Sequence, residues 1–289
     1  MYIILGGTGH VGSAVASALL SQHQSVTIVT RDASKGQQWK RNGASVAVAD
    51  VHDTQALREV FRRGKRLFLL NPSADPSTDT DFEERKSVAS ILEALNGSGL
   101  EKIVAESTYG AQRIDRAGDF GILYDLEEAL RAQPIPASII RAAYYMSNWD
   151  ASLETARKDG VLRTMLPPDL KLPMVAPKDL GKVAARLLTE PVEQVGIHYV
   201  EGPQQYSPAD VSEAFTHALQ KPVAVEPVPR AQWKDAFRKL GFSERAADSY
   251  ARMTEMTVDG LGDLPASPLR GSISLQDYVS NLVQAHQIG

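Results

Sequence analysis

The 289-residue chain contains no cysteine, which excludes disulfides, thiolate catalysis and cysteine-ligated metals and favours a reducing compartment. It also lacks any apolar run that approaches the roughly 20 residues needed for a membrane-spanning helix. Its six histidines are scattered, with no His-x-x-x-His pair and no histidine–carboxylate cluster. We therefore expect no metal site.

The chain also has no large excess of positive or negative charge. The net charge is −4 at pH 7, with both signs spread along the chain, so a broad nucleic-acid surface is not expected. An apolar strand begins at residue 2, which leaves no room for a signal peptide. We expect a soluble, cytoplasmic protein that binds a small molecule and contacts neither nucleic acid nor membranes directly. The sequence leaves monomer and homodimer open.

The start of the chain carries the clearest motif. Apolar residues 2–5 predict a buried strand, and the small residues that follow Gly12 predict a helix. Gly6, Gly9 and Gly12 lie in the turn between them, where glycine permits a tight exit from the strand, a close approach to phosphate and close helix packing. Such a turn holds a pyrophosphate through the free N–H groups of the helix. The expected cofactor contacts here are Gly6, Thr8, Gly9, His10, Val11 and Gly12.

An alternation of strands and helices continues beyond this turn. Short apolar runs separated by helical patterns predict strands at residues 2–5, 25–30, 44–49, 67–70, 103–105 and 137–140. Crossovers of this length join parallel neighbours, so the predicted fold is an α/β doubly wound parallel sheet of the Rossmann type. Ligands of such sheets bind at the carboxyl ends of the strands.

The pattern changes after Trp149. Residues 160–173 include Pro167-Pro168 and predict a loop-rich excursion, whereas residues 178–200 return to the sheet as a helix and a strand. We therefore assign residues 1–149 and 178–200 to a dinucleotide-binding Rossmann domain. Residues 150–177 and 201–289 are predicted to form a smaller mixed α/β C-terminal lobe that closes over the carboxyl edge of the sheet.

Arg31 follows the second predicted strand, at the position that faces the adenosine ribose of a dinucleotide. An acidic side chain there accepts a hydrogen bond from the 2′-OH, whereas an arginine accommodates a 2′-phosphate. Asp32 is adjacent, but Arg31 comes first and Lys35 adds a second cation one turn later. This order favours NADP(H) over NAD(H). The alternative is a solvated helix start with a surface Arg–Asp pair.

The next two strands end in further candidate cofactor contacts. Asp50 and Val51 follow the third strand, at the adenine edge, although Asp50 also fits a turn ahead of the helix cap Asp53. Leu70-Asn71-Pro72 ends the fourth strand, where a proline delays the next helix. We expect these residues beside the middle of the cofactor.

Four segments together resemble the atypical short-chain dehydrogenase/reductases of the NmrA-like group: residues 6–12, residues 30–35, the Asp50-x-x-Asp53 pair and residues 141–149. That group includes NADPH-dependent quinone oxidoreductases and a redox-sensing transcriptional regulator. The resemblance covers nearly the whole chain and implies NADP(H) as the cofactor. Within it we assign Ser107 and Tyr144 to the cofactor site.

The wider family uses a serine or threonine after the fifth strand and a tyrosine with a lysine four residues on. The lysine lowers the pKa of the tyrosine, which can then pass a proton to a carbonyl. Here Ser107, Thr108 and Tyr109 follow the fifth strand, and Tyr124 on the next helix is followed four residues later by Glu128. Without a neighbouring cation, neither phenol is expected to ionise near neutral pH. We name Tyr109 and Tyr124 as candidate catalytic residues that act as hydrogen-bond donors.

Two functional hypotheses follow. In the first, an oxidoreductase passes hydride to a quinone or conjugated enone, whose product oxyanion can be stabilised without a strong acid. In the second, a nonenzymatic regulator binds NADP(H) and reports the nicotinamide redox ratio to a partner. The missing lysine favours the second, and a lobe large enough to roof a substrate favours the first, which we prefer. A sugar epimerase or another substrate class is a third alternative.

Overall fold

The computed structural model describes residues 1–262 and 265–286. The strands are β1 (Tyr2–Leu5), β2 (Val26–Thr30), β3 (Ser45–Val48), β4 (Arg66–Leu69), β5 (Lys102–Thr108), β6 (Ala137–Ala142), β7 (Tyr144–Tyr145), β8 (Val161–Thr164), β9 (Leu172–Val175), β10 (Gly196–Glu201), β11 (Gln205–Tyr206), β12 (Ala224–Pro227) and β13 (Leu269–Arg270). The α-helices are α1 (His10–Ser21), α2 (Gln37–Arg41), α3 (Thr54–Phe61), α4 (Thr80–Leu95), α5 (Asp119–Ala132), α6 (Leu153–Asp159), α7 (Pro177–Thr189), α8 (Pro208–Leu219), α9 (Trp233–Lys239), α10 (Glu244–Asp259) and α11 (Leu275–Ala285). Short 3-10 helices span Met146–Ser152 and Arg230–Gln232.

Eight strands form one parallel sheet in the order β13-β10-β6-β5-β4-β1-β2-β3. The chain moves outward from β1 through β2 and β3, then crosses to the other side of β1 and continues through β4, β5 and β6. The crevice between β1 and β4 is therefore the topological switch point, where ligands of doubly wound sheets bind. The predicted Rossmann-type sheet is confirmed.

Helices cover both faces of this sheet, so its inner strands are continuous apolar runs rather than alternating ones. α1 and α7 pack on one face, around Phe68 and Val104. α3, α4 and α5 cover the other face, around Leu69 and Ala105. Because side chains alternate along a strand, residues at the carboxyl end of β5 also point alternately to the two faces.

Two smaller sheets lie outside the large one. β11, β9 and β7 form one, and the parallel pair β12 and β8 forms the other. They share an apolar cluster with α6, α8 and α11 that includes Trp149, Leu162 and Phe215. The loop-rich prediction for residues 160–173 is wrong in part, because Val161–Thr164 forms β8. Its hydrogen-bond partners come from Ala224–Pro227, a distant segment that local composition does not reveal.

The division into two domains stays a prediction. β13, which was assigned to the smaller lobe, joins the large sheet beside β10. Residues 263, 264 and 287–289 of that lobe lie outside the described residues. Among the helices that the structure describes, none combines the length and the apolar character needed to cross a bilayer.

Candidate active site

The turn between β1 and α1 needs glycine at two of its three predicted positions. Gly6 has a φ of 76°, in the left-handed region that favours glycine. A Cβ at Gly12 would collide with the carbonyl oxygen of Gly6, whereas a Cβ at Gly9 would lie 3.5 Å from that oxygen, an ordinary contact. The fold of the turn therefore requires Gly6 and Gly12, and it leaves the exposed Gly9 available for a ligand.

The first turn of α1 has neither a side-chain cap nor an acidic residue. The first N–H groups of a helix have no partner within the helix, so those of α1 can donate to an anion, which the helix dipole also attracts. Thr8 and His10 are exposed beside Gly9, and Val11 is buried. The His10 imidazole lies 3.9 Å from the carboxylate of Asp150. This turn fits the pyrophosphate of a dinucleotide.

At the end of β2, Asp32 is occupied by its own turn. One of its carboxylate oxygens accepts hydrogen bonds from the Ser34 hydroxyl at 2.6 Å and the Ser34 N–H at 2.8 Å. These bonds hold the pKa of Asp32 below its usual range. Arg31 and Lys35 are exposed, and within residues 1–262 and 265–286 the Arg31 guanidinium forms no salt bridge. The surface Arg–Asp pair does not form, and Arg31 fits a 2′-phosphate.

The two predicted adenine contacts have local partners. The Asp50 carboxylate accepts from the His52 N–H at 2.8 Å, which is the turn role that the sequence left open. Val51 is buried in the apolar cluster beneath β2 and β3. Their contacts with adenine stay predictions, and Val51 has its side chain committed to the core.

The switch point brings the ends of β1, β4 and β5 together. Leu70 lies against Gly6, and the amide of Asn71 reaches the Glu84 carbonyl at 3.5 Å. Strand register places Ile4, Phe68 and Val104 in one row across the sheet. Two residues further on, Gly6, Leu70 and Glu106 therefore share the next row on the same face. Leu70 thus borders the glycine turn, and the cofactor contacts of Leu70, Asn71 and Pro72 stay predictions.

A pocket of about 200 Å³ opens at the carboxyl ends of β5, β6 and β10. Its lining is formed by Tyr109, Gly110, Ala111, Gln112, Arg141, Tyr199, Leu261 and Pro265. A second pocket of about 390 Å³ adjoins it and shares Gln112 and Leu261. The aromatic and polar walls of the first pocket suit a small planar molecule.

Tyr109 reaches this pocket with its ring but not with a free hydroxyl. The residue is 6% exposed, and its hydroxyl donates to the Glu201 carboxylate at 2.8 Å. Burial and the bond to Glu201 raise the pKa of Tyr109 well above its usual range. Tyr109 therefore offers a stacking surface, and its role as a catalytic hydrogen-bond donor stays a prediction.

The other two predicted tyrosines lie elsewhere. Tyr124 is half-buried on α5 and lines neither pocket, and Glu128 pairs with Arg131. Tyr144 packs against Trp149, with ring centroids 5.9 Å apart, and burial raises the pKa of its phenol to about 12. Their catalytic and cofactor roles stay predictions. Among the described residues, no three carboxylate or histidine side chains group closely enough to hold a metal ion.

Ser107 lies within β5 rather than after it, and its hydroxyl points to the face covered by α5. There it bonds to the buried carboxylate of Glu127. Arg141 donates two further bonds to Glu127, at 2.9 and 2.7 Å, and one to the Tyr199 hydroxyl at 3.0 Å. This network holds Arg141 at the pocket wall. The sequence analysis did not identify Glu127. An acidic residue on the otherwise apolar face of α5 was the pattern that could have indicated it.

Two more buried acids near this edge were also missed. Glu106 on β5 is 3% exposed and accepts from the Tyr145 hydroxyl at 3.0 Å, and burial raises its pKa to about 8. Glu84 on α4 is 2% exposed and accepts from the Ala74 N–H at 3.0 Å. Burial and the neighbouring Asp119 raise the pKa of Glu84 to about 8. Burial therefore favours the protonated form of both carboxyls. An acid inside the apolar run of β5 was the signal for Glu106.

Comparison with known proteins agrees with this arrangement. The model of the NmrA-like family matches residues 2–264. The chain belongs to the NmrA-like family. One curated relative is the NAD(P)H azoreductase of Xenophilus azovorans, which is 22% identical over 249 residues, or 86% of this chain and 84% of the relative. The resemblance inferred from the sequence motifs is thereby confirmed.

Solved structures share the fold of this NmrA-like protein. The NADPH-dependent quinone oxidoreductase of Escherichia coli, solved with NADPH, has a TM-score of 0.80 and 21% identity and covers 98% of this chain and 99% of its own. The Citrobacter sp. triphenylmethane reductase, solved with NADP(H), has a TM-score of 0.80 and 18% identity. The match covers 98% of this chain and 100% of the reductase chain. At these identities the likeness establishes the fold.

Proposed function

We propose that this NmrA-like protein is an NADP(H)-dependent oxidoreductase that passes hydride to a quinone-like or conjugated carbonyl compound. The observation that carries the proposal is the uncapped start of α1 at the glycine turn, with Arg31 at the end of β2 free of a carboxylate partner among residues 1–262 and 265–286. The relative named NAD(P)H azoreductase and the fold shared with a quinone oxidoreductase solved with NADPH support the same reaction class.

In this proposal, different segments of the chain bind different parts of the cofactor. The pyrophosphate is held by Gly6, Thr8, Gly9, His10, Val11 and Gly12. Arg31 and Lys35 bind the 2′-phosphate, and Asp50 and Val51 flank the adenine. The nicotinamide half lies along Leu70-Asn71-Pro72, Ser107 and Tyr144. When bound, the reduced cofactor supplies hydride, and the pocket walled by Tyr109 and Tyr199 lies at the same carboxyl edge of the sheet.

The choice of acceptor follows from the weak acids at this site. The Tyr109 hydroxyl is engaged by Glu201, and Glu128 stands where a lysine would lower the pKa of Tyr124. An unactivated ketone needs a strong proton donor, whereas a quinone or enone spreads the incoming charge over a conjugated system. The site therefore suits conjugated acceptors.

The test is a binding titration followed by a turnover assay. We expect NADPH to quench intrinsic fluorescence at lower concentration than NADH, and menadione, benzoquinone or a conjugated enone to oxidise bound NADPH. Equal affinity for the two cofactors would contradict the assignment of Arg31 to a 2′-phosphate. If NADPH binds and no acceptor oxidises it above the buffer rate, the second candidate, a nonenzymatic NADP(H) sensor, replaces the reductase. Glu128 at the lysine position is the observation that favours that candidate.

A further inference from the structure

A buried carboxyl lies two strands from the proposed cofactor turn. Glu106 is on β5, next to the switch point between β1 and β4, and continuing the register of Ile4, Phe68 and Val104 by two residues puts it in the row and on the sheet face of Gly6 and Leu70. Its neighbour in β6 is Ile140, which is fully buried. An acid in this apolar setting has a high desolvation cost when charged, so it stays protonated unless a ligand or a partner compensates.

The partners of Glu106 are few. One carboxyl oxygen bonds to the Tyr145 hydroxyl at 3.0 Å, and the other forms no hydrogen bond with any residue that the structure describes. Tyr145 ends β7, just beyond the carboxyl end of β6, and its side chain is half-buried. The pair therefore links the buried row of the glycine turn to the partly open edge above it.

We propose that Tyr145 is the catalytic acid of the reduction and that Glu106 is the positioning residue that resupplies its proton. This inference rests on the proposed function. Hydride from the reduced nicotinamide adds to the acceptor, which oxidises NADPH to NADP⁺. The Tyr145 O–H bond breaks and its proton goes to the acceptor oxyanion. The Glu106 carboxyl then gives its proton to the Tyr145 oxygen and takes up one H⁺ from solvent, so that each turnover consumes one NADPH, one acceptor and one solvent proton.

The chemistry of the pair explains why two groups are needed. Burial and Glu106 raise the pKa of Tyr145 well above its usual range, so the phenol does not release its proton unless another arrives. Glu106 can provide it because burial raises the pKa of its carboxyl to about 8. A protonated carboxyl can donate to the phenol oxygen, which frees the phenol hydrogen for a ligand. The relay thus replaces the tyrosine–lysine pair that the chain lacks.

Few charged groups perturb this pair. Within the described residues, Tyr145 is the ionisable group that acts on Glu106, and Glu106 and Asp119 act on Tyr145. The charged side chains of α7, which covers this face of β5, are Lys178, Asp179, Lys182 and Arg186. Asp179 pairs with Lys182, and Arg186 pairs with Glu190.

Two acceptors separate proton supply from hydride transfer. Menadione requires a hydride and a proton, whereas malachite green is a triarylmethane cation that becomes neutral on accepting hydride alone. We expect Glu106→Gln and Tyr145→Phe each to lower kcat for menadione by about 100-fold or more. Reduction of malachite green and the Kd for NADPH should stay unchanged. The matched controls are Glu101→Gln and Tyr2→Phe. These residues lie at the amino-terminal ends of β5 and β1, opposite the carboxyl ends where the cofactor is proposed to bind.

The pH profile gives a second readout that a structural role would not move. We expect kcat for menadione to fall as pH rises through about 8, Glu106→Gln to abolish that limb, and Glu106→Asp to restore it in part. If the protein does not reduce malachite green, the pH profile alone tests the relay. Equal losses with both acceptors, or an unchanged menadione rate in Glu106→Gln, would overturn the relay. A wild-type protein that binds NADPH and reduces neither acceptor overturns the proposed function itself, before any variant is made.

Discussion

The three glycines of the first turn have different structural roles. Gly12 has no room for a side chain because the Gly6 carbonyl lies against it, whereas Gly9 has room and faces outward. We expect Gly12→Ala to lower the free energy of unfolding by roughly 1–3 kcal/mol and to abolish NADPH binding. Gly9→Ala should keep the wild-type Tm and weaken NADPH binding, because its methyl group stands on the phosphate side.

Thermal unfolding and NADPH titration of the two variants check this pair of outcomes. Wild-type affinity in Gly9→Ala would show that phosphate does not approach there, whatever the stability of Gly12→Ala.

Arg31 is the residue expected to select the cofactor. Its guanidinium has no carboxylate partner in the described part of the chain, and Asp32 is bound to Ser34 instead. Because a charge-assisted contact with a 2′-phosphate is lost, Arg31→Ala should weaken NADPH binding by about 10- to 100-fold. The Kd for NADH should not change. Fluorescence titration measures both, with Arg63→Ala as an exposed control on the far side of the sheet. Parallel losses for the two cofactors would contradict the assignment.

At the scale of elements, α7 anchors the segment that leads to the last helix. Asp179 in the first turn of α7 is buried, and one of its oxygens accepts from the Ser272 and Ile273 N–H groups, both at 2.9 Å. Asp179→Ala leaves both donors unsatisfied, so we expect it to cost roughly 2–4 kcal/mol of unfolding free energy. Lys182→Ala removes only a half-exposed ion pair and should cost at most about 1 kcal/mol. Urea unfolding of both variants tests the difference, and equal small effects would refute the anchor.

At the scale of the whole molecule, the buried acids make stability depend on pH. The pKa values of Glu84 and Glu106 rise from 4.5 in the reference state to about 8 in the fold, chiefly through burial. A group whose pKa is raised by folding stabilises the fold fully below its unfolded pKa, and that contribution is lost as pH rises through the folded pKa. Stability should therefore fall between about pH 4.5 and about pH 8.

Glu106→Gln is expected to flatten this dependence, because a glutamine stays neutral throughout. A shift of this size corresponds to at most about 5 kcal/mol for one carboxyl. Urea unfolding across the range measures it, with the exposed Glu101→Gln as control. Curves for wild type and Glu106→Gln that run parallel would mean that Glu106 is not protonated in the fold.

The sequence was sufficient where a structural feature depends on neighbouring residues. The buried strands are contiguous apolar runs, the helix cap Asp53 precedes its helix, and the glycine turn follows β1 directly. Periodicity and turn chemistry report whether a short segment is buried, extended or capped. The Rossmann-type sheet and the family could therefore be inferred before any contact was known.

Only the tertiary structure decided which distant residues meet. Tyr145 reaches Glu106 across 39 positions, Tyr109 reaches Glu201 across 92, and Ala224–Pro227 turns a predicted loop into β8. These meetings depend on strand order and register, which no local pattern encodes. The chain alone therefore determined where a cofactor turn lies. The packing of the sheet decided which carboxyl near that turn is buried, and burial is what keeps its proton.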